Sequence, residues 1–319
     1  MTRMPGASTS CVISLGGNTL IRRGEKGTIE EQFAHTQASM KHVSKMMQAG
    51  DRVVITHGNG PIVGNIVLRN ESARNTVPPM PLYICDADAE GGIGFMVQQT
   101  LYNQLRRIDA GRDVVTVITQ VVVDKNDPAF LNPTKPIGPF YSAKEAEILA
   151  ATKGWRLVED SGRGYRRVVP SPRPVRIVES GVIKRLVSGG VIVIAAGGGG
   201  VPVVEEAGNL RGVDAVIDKD HTTGLLARDI GAERFINLTQ VDRVYLNFGK
   251  KDQRGLRQVS LDEIMNYRKE GHFPAGSMGP KIDAAIEFLE AGGKEVIITS
   301  PELIGEAAEG RAGTRIYNY

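Results

Sequence analysis

Two lysines stand where lysine is electrostatically out of place. Lys219 follows Asp218 at what reads as a helix start, and Lys281 lies one residue past Pro280, which opens another helix. A helix N-terminus is its positive end, so a cation there is disfavoured unless an anion compensates it. A phosphate bound between the two lysines would account for both, with Asp220 holding their ammonium groups in place. Phosphoryl transfer needs chiefly positioning and positive charge near the equatorial oxygens, so lysines, backbone amides and magnesium suffice. Lys125 lies at the mouth of a proline-rich stretch, and on its own it reads as a surface lysine.

Glycine turns would supply the amides. Val53-Val54-Ile55-Thr56 breaks into His57-Gly58-Asn59-Gly60, and Pro61 then opens a helix, where proline is tolerated. The same grammar recurs at Val12 to Asn18, with Gly16 and Gly17, and at Val191 to Gly200, with Gly197 and Gly198. Glycine lets the backbone approach an anion, and a following helix adds its positive end. Each turn alone is ordinary turn chemistry; three at strand ends look like parts of one phosphate site.

Other chemistries find less support. No GxxxxGK(S/T) occurs, which excludes a Walker-type loop by pattern. Gly58 to Gly64 misses GxGxxG by one residue, and no acidic residue lies about twenty positions on in a matching strand. The five histidines show no metal-ligand spacing, and His57 reads as a turn hydrogen-bonding residue. No Ser-His-Asp or Cys-His set is visible, although such sets are spatial.

The elements that must position these residues alternate. Cys11 to Leu15, Arg52 to Thr56, Val114 to Ile118, Val191 to Ala195, Arg234 to Leu238, Val244 to Asn247 and Glu295 to Thr299 read as strands. Helices are expected after the capping-box pattern at Thr28 to Glu31, from Pro61, over Ile93 to Arg107, near Val178 to Val187, over Lys219 to Ile230, over Leu261 to Arg268 and from Pro280 to Leu289. Continuous apolar strands separated by helices predict an α/β fold with a mainly parallel sheet covered on both faces. Between Val121 and Arg176 prolines multiply and the alternation weakens, which suggests a small subdomain off the sheet. Its aromatics, Phe130, Phe140, Tyr141, Trp155 and Tyr165, argue against disorder.

At 319 residues the chain can bury a large core. Its 39 Lys and Arg nearly balance 36 Asp and Glu, so nothing points to a nucleic-acid partner. Cys11 and Cys85 form no CxxC, which argues against a disulfide framework or a cysteine-built zinc site. The first ten residues contain no apolar signal core, and no apolar run reaches membrane-spanning length. The expectation is a soluble cytoplasmic protein with no membrane partner and a disordered tail over residues 1–10.

Read together, the motifs resemble those of the carbamate kinases, a branch of the amino acid kinase family, over nearly the whole chain from Cys11 to Ile316. The resemblance is carried by LGGN (Leu15 to Asn18), RGEKGT (Arg23 to Thr28), THGNGP (Thr56 to Pro61), TQVVVDKNDPAF (Thr119 to Phe130) and NPTKPIGPFY (Asn132 to Tyr141). RRVVPSPRP (Arg166 to Pro174), GVDAVIDKD (Gly212 to Asp220), GHF (Gly271 to Phe273), AGSMGPK (Ala275 to Lys281) and AGTRI (Ala312 to Ile316) complete it.

That resemblance implies a three-layer αβα sandwich around a mainly parallel sheet, forming a homodimer. It implies a single domain over 11–319, with an acceptor-side lobe over 11–190, a nucleotide-side lobe over 191–319 and a protruding subdomain over 121–176. The implied reaction is reversible phosphoryl transfer between ATP and carbamate, giving ADP and carbamoyl phosphate, either in arginine, agmatine or allantoin breakdown or to make carbamoyl phosphate in the forward direction. Gly16, Gly17, Asn18, Gly58, Asn59 and Gly60 would hold the carbamate or the transferred group, joined by Gly197 and Gly198 of the third turn. Lys219 and Lys281 would bridge the phosphates, Asp220 would orient them, and Lys125 would reach in from the subdomain. Thr239, Val241, Asp242, Tyr245 and Met278 would line the nucleotide pocket. Magnesium would sit mainly on phosphate oxygens, with no protein ligand.

Three departures from the family pattern stand out. Where the family reads PLxxCGAM(S/T)QGxIGY, this chain runs from Pro81 to Phe95 with Asp86, Asp88 and Glu90. If that segment faces the substrate, the acceptor could differ; if it only packs a dimer, function is untouched. The second reading is preferred, because the phosphate-handling positions are intact. TDVDxV becomes Thr239-Gln240-Val241-Asp242-Arg243-Val244, and His221 replaces the usual leucine beside the catalytic pair, where it could titrate. Two alternatives to a carbamate kinase are a kinase for another small carboxylate or phosphonate and a non-catalytic nucleotide sensor on the same fold.

Overall fold

The computed structural model describes every residue except 1–8, 18–19, 22–24, 48–49, 109–110, 161, 163, 275–276 and 319. Most of the expected tail and Asn18 therefore lie outside the described residues. β1 (Ser10–Leu15) leads to α1 (Ile29–Met46), β2 (Arg52–His57), α2 (Gly60–Ala73), α3 (Leu82–Arg107) and β3 (Val114–Val117). The capping box of α1 is formed, with Thr28 Oγ1 accepting from Glu31 N and the Glu31 carboxylate accepting from Thr28 N.

β4 (Gln120–Val123) precedes an excursion of β5 (Lys135–Tyr141), α4 (Ala143–Lys153), β6 (Leu157–Glu159) and β7 (Tyr165–Val169). The chain returns through β8 (Pro174–Ile177), α5 (Ser180–Ser188), β9 (Ile192–Ala195), β10 (Val201–Glu206) and β11 (Asn209–Gly212). Then come α6 (Lys219–Ile230), β12 (Arg234–Leu238), β13 (Tyr245–Leu246), β14 (Arg254–Gly255), β15 (Gln258–Ser260) and α7 (Leu261–Lys269). The last elements are α8 (Met278–Glu290), β16 (Glu295–Thr299), α9 (Ile304–Ala308) and β17 (Thr314–Tyr317).

The main sheet has eight strands in the order β15-β17-β16-β12-β1-β2-β9-β3. All its pairings are parallel except β16 with β17. Side-chain alternation divides its apolar residues between two cores. Val12, Val54, Val193 and Phe235 pack with Ile183 of α5, Leu226 of α6 and Phe288 of α8. Ile13, Ile55, Ile194 and Ile236 pack with Met40 of α1, Val97 of α3 and Ile304 of α9. Helices thus cover both faces, and the fold is the expected αβα sandwich.

Three expectations change. β9 pairs with β2 and β3, so residues 190 and 191 mark no boundary in the sheet. β4 and β8, at the two ends of the expected subdomain, belong to a four-stranded sheet with β10 and β11. Only β5, β7 and β6, with α4 between β5 and β6, form the separate three-stranded unit. Finally, α3 starts at Leu82, after Pro81, rather than near Ile93, so the acidic segment is helical. Gly91 and Gly92 weaken local helix propensity, but buried Cys85, Ala89, Ile93 and Val97 give the helix a packed face. No helix among the described residues is long and apolar enough to cross a membrane.

Candidate active site

Ligands of open parallel sheets bind beyond the carboxyl ends of the strands. Here the turns after β1, β2, β9 and β12 meet at a cleft of about 470 Å³. The first two turns touch: a Cβ on Gly58 would lie 2.8 Å from Gly17 N, so no larger residue fits there. Gly16, Gly17, Gly58, Asn59 and Gly60 all line the cleft, as does Gly198. Gly198 has φ +69°, and a Cβ on it would come within 2.1 Å of Asn59 Nδ2.

Gly197 does not reach the cleft. A Cβ there would meet the His57 ring at 2.3 Å, and its N–H points back to Glu90 Oε1 at 2.9 Å. The third turn therefore contributes one glycine to the lining and spends another on internal packing. Burial lowers the His57 pKa to about 4, so the ring is neutral, and its Nδ1 lies 3.2 Å from Gly58 O.

The cations come from the helix starts. Asp218 caps α6 by accepting from Asp220 N at 2.9 Å, and this exposes Lys219 and Asp220 to the cleft from the first turn. Thr222 Oγ1 donates to Gly199 O, and the Thr56 and Thr223 hydroxyls pair at 2.8 Å, so α6 is tied to the strand ends. Lys219 Nζ donates to Asp220 Oδ1 at 2.7 Å and to Ser14 Oγ at 2.6 Å. Lys281 Nζ, from α8, donates to Asp220 Oδ2 at 2.9 Å, and Asn237 Nδ2 donates to Oδ1.

One carboxylate thus holds two ammoniums. Burial acts to raise the Asp220 pKa, but Lys219 and Lys281 outweigh it and keep the group below the ordinary carboxylate range. Lys219 is 9 % exposed, and burial lowers its pKa to about 8 against the pull of Asp220. It therefore carries most of a charge at neutral pH and would gain the rest from a bound anion.

Lys125 is not the lysine that reaches in from the excursion. Its side chain is 60 % exposed, with Nζ 3.7 Å from Glu206 Oε1, and it does not line the cleft. The chain turns outward directly after β4, and the return over the cleft begins at Lys135, the first residue of β5. Lys135 lines the cleft and donates to Asp218 Oδ2 at 2.5 Å. A legible signal existed: Lys135 lies between Pro133 and Pro136, two residues that restrict the backbone. Arg166 of β7 also lines the cleft, its Nε donating to Gly138 O, although in sequence it belongs to a local basic group that reads as a solvated face.

On the other side Thr239, Val241, Tyr245 and Met278 line the cleft with Gln240 and Arg243. The Tyr245 and Phe248 rings lie 5.9 Å apart and form an aromatic edge. Asp242 stands behind this wall, accepting from Tyr245 Oη at 2.6 Å and Arg243 Nε at 2.8 Å. His221 also lies outside the cleft, its ring against Arg173 and Glu287. Among the described residues, no group of His, Cys, Asp and Glu could hold a metal ion by itself.

Two of the three carboxylates in the acidic segment are buried. Asp88 is exposed, but Asp86 is only 3 % and Glu90 1 % exposed, beneath the turns rather than facing substrate or solvent. Asp86 Oδ1 accepts from Asn59 Nδ2 at 3.1 Å; Glu90 accepts from Thr119 N and Gly197 N. Burial pushes Glu90 up to about 8 and Asp86 well above the carboxylate range.

Comparison with known proteins adds to this geometry. The amino acid kinase family model matches residues 9–300. A carbamate kinase of Thermococcus kodakarensis is 49 % identical over 308 residues, covering 96 % of this chain and 98 % of that protein. The carbamate kinase-like protein YahI of Escherichia coli is 50 % identical, with 96 % and 98 % covered. The solved carbamate kinase from Giardia lamblia bound to AMP-PNP is similar with a TM-score of 0.90 at 46 % identity, covering 98 % of this chain and 99 % of that one.

Proposed function

The chain belongs to the amino acid kinase family and, within it, to the carbamate kinases; from that premise we propose how its cleft works. The reaction is phosphoryl transfer between ATP and carbamate. A carbamate oxygen attacks the γ-phosphorus, the bond to the β,γ-bridging oxygen breaks, and ADP leaves with that oxygen. In the reverse direction carbamoyl phosphate and ADP give ATP.

The observation that carries this reading is Asp220 between Lys219 and Lys281, opposite the glycine turns. Transition-state charge spreads over the transferred oxygens, and preorganised cations stabilise it. Lys219 and Lys281 hold the phosphates, Asp220 fixes their ammoniums, and Lys135 adds a third cation from above. The turns at Gly16–Gly17 and Gly58–Gly60 hold the acceptor and the transferred group, with Asn59 and Gly198 beside them. Thr239, Val241, Tyr245 and Met278 hold the nucleoside; the AMP-PNP in the Giardia relative supports ATP as the nucleotide. Magnesium arrives with the nucleotide as part of the substrate.

A homodimer is supported by exposed Ile84, Phe95 and Tyr102 along α3. The test of the reaction is ATP formation by the purified protein from ADP and carbamoyl phosphate. Turnover is expected, and its absence beside turnover with another acyl phosphate would move the assignment to another acceptor. That second reading draws on Asp86, a group beneath Asn59 that the family pattern lacks.

A further inference from the structure

Asn59 occupies the N-cap position of α2, yet its side chain caps nothing. An asparagine there ordinarily accepts from a backbone N–H of the first helical turn. Here the carboxamide is drawn aside. Its Nδ2 donates to Asp86 Oδ1 at 3.1 Å, and the same nitrogen lies over Gly198, where a Cβ would approach within 2.1 Å. Asn59 is thus seated between a buried carboxyl on one side and a bare glycine backbone on the other, while still lining the cleft.

Asp86 has no visible purpose apart from this contact. It is 3 % exposed, its Oδ2 is buried without a hydrogen-bond partner, and it does not line the cleft. Glu90, one helical turn on, grips the third glycine turn instead, through Gly197 N and Thr119 N. A buried carboxyl opposes folding unless its contacts compensate, so the single hydrogen bond it makes is informative.

We propose that Asp86 is a positioning residue for acceptor recognition, clamping the Asn59 carboxamide against Gly198 so that Asn59 meets the acceptor in one orientation. The inference rests on the proposed reaction and on Asn59 belonging to its acceptor half. Burial pushes the Asp86 carboxyl well above its ordinary range, with help from Glu90 and Asp214 and against the hydrogen bond from Asn59. The neutral acid keeps a carbonyl oxygen for Asn59, and asparagine is its nearest mimic.

The test compares full-length wild type, Asp86→Ala and Asp86→Asn in ATP synthesis, varying carbamoyl phosphate and ADP separately. Asp86→Ala should raise KM for carbamoyl phosphate about tenfold, the scale of one lost hydrogen bond, and leave KM for ADP within about twofold. Asp86→Asn should restore the acceptor KM. A fall in kcat with both KM values unchanged would mean a merely structural role and would overturn the proposal, as would an unchanged acceptor KM. Asp86→Val, closer in volume, takes the place of Asp86→Ala should that variant not fold. A crystal structure of the apolar variant gives a second readout that does not depend on the reaction. The Asn59 side chain should leave its seat on Gly198, and an unmoved Asn59 would refute the clamp. Wild type that forms no ATP from carbamoyl phosphate would instead overturn the assigned reaction, with the crystal structure still deciding the clamp.

Discussion

Asp220→Asn removes the negative charge between two ammoniums while keeping the side chain's size. Its carboxylate lies 2.7 Å from Lys219 Nζ and 2.9 Å from Lys281 Nζ. Unit charges 4 Å apart interact by about 4 kcal/mol at an effective dielectric of about 20. The amide oxygen of the variant still accepts from Lys219 Nζ, so about half of that is lost, roughly 2 kcal/mol or about 1.5 pKa units. Lys219, already lowered to about 8 by burial, would then fall to about 6.5. The sign is that of a base: the charged form exists below the pKa and is lost as pH rises through it. At about pH 7.5 the protonated fraction drops from roughly three quarters to roughly a tenth. The alkaline limb of kcat/KM for ATP synthesis, which reports the free enzyme, should therefore move from about 8 to about 6.5. Below that limb the plateau should still lie about 100-fold under wild type, because the ammoniums are no longer aimed at the phosphates. Circular dichroism must first establish that the variant folds, since breaking a buried ion pair costs about 3–5 kcal/mol. A limb that stays near 8, or a plateau within about threefold of wild type, would refute the reasoning.

Lys135→Ala should lower kcat/KM about 100-fold through loss of a cleft cation, whereas Lys125→Ala should stay within about twofold. The reverse ranking in the same assay would return Lys125 to the site. Gly198→Ala forces a side chain into a left-handed conformation against Asn59, and should lower stability in urea by roughly 1–3 kcal/mol. An unchanged midpoint would contradict the close approach. Glu90 has its pKa raised from 4.5 to about 8 by burial, so the folded state holds its proton more tightly, and its contribution to stability falls as pH rises through that window. Glu90→Gln abolishes this titration, so its Tm relative to wild type should rise between about pH 5 and about pH 8.5. Parallel Tm curves would show that Glu90 does not titrate there.

Local sequence carried the units of this protein. Apolar runs such as Val53-Val54-Ile55 and Val193-Ile194 marked core strands, because a strand covered on both faces has no polar side to show. The Thr28–Glu31 box and the Asp218 cap marked helix starts, because capping is settled within a few residues. Lys219 and Lys281 drew notice through their unfavourable place at helix N-termini, and the glycine turns through their spacing to the strands. Tertiary structure alone decided which groups face one another. Lys219 meets Ser14 and Asp220 meets Lys281 only because α6 and α8 pack across the same strand ends. Flanking prolines mark Lys135 in sequence, but only the outward turn after β4 and the return at β5 put Lys125 in solvent and Lys135 over the cleft. Gly197 and Gly198 are adjacent, yet one backs onto His57 and Glu90 and the other borders the cleft. In sequence, Asp86 and Glu90 read as part of a segment that faces the substrate or packs a dimer. Their burial became visible only once Asn59, Thr119 and Gly197 were seen closing over α3, because hydrogen bonds from distant backbone and side chains leave no trace in local pattern.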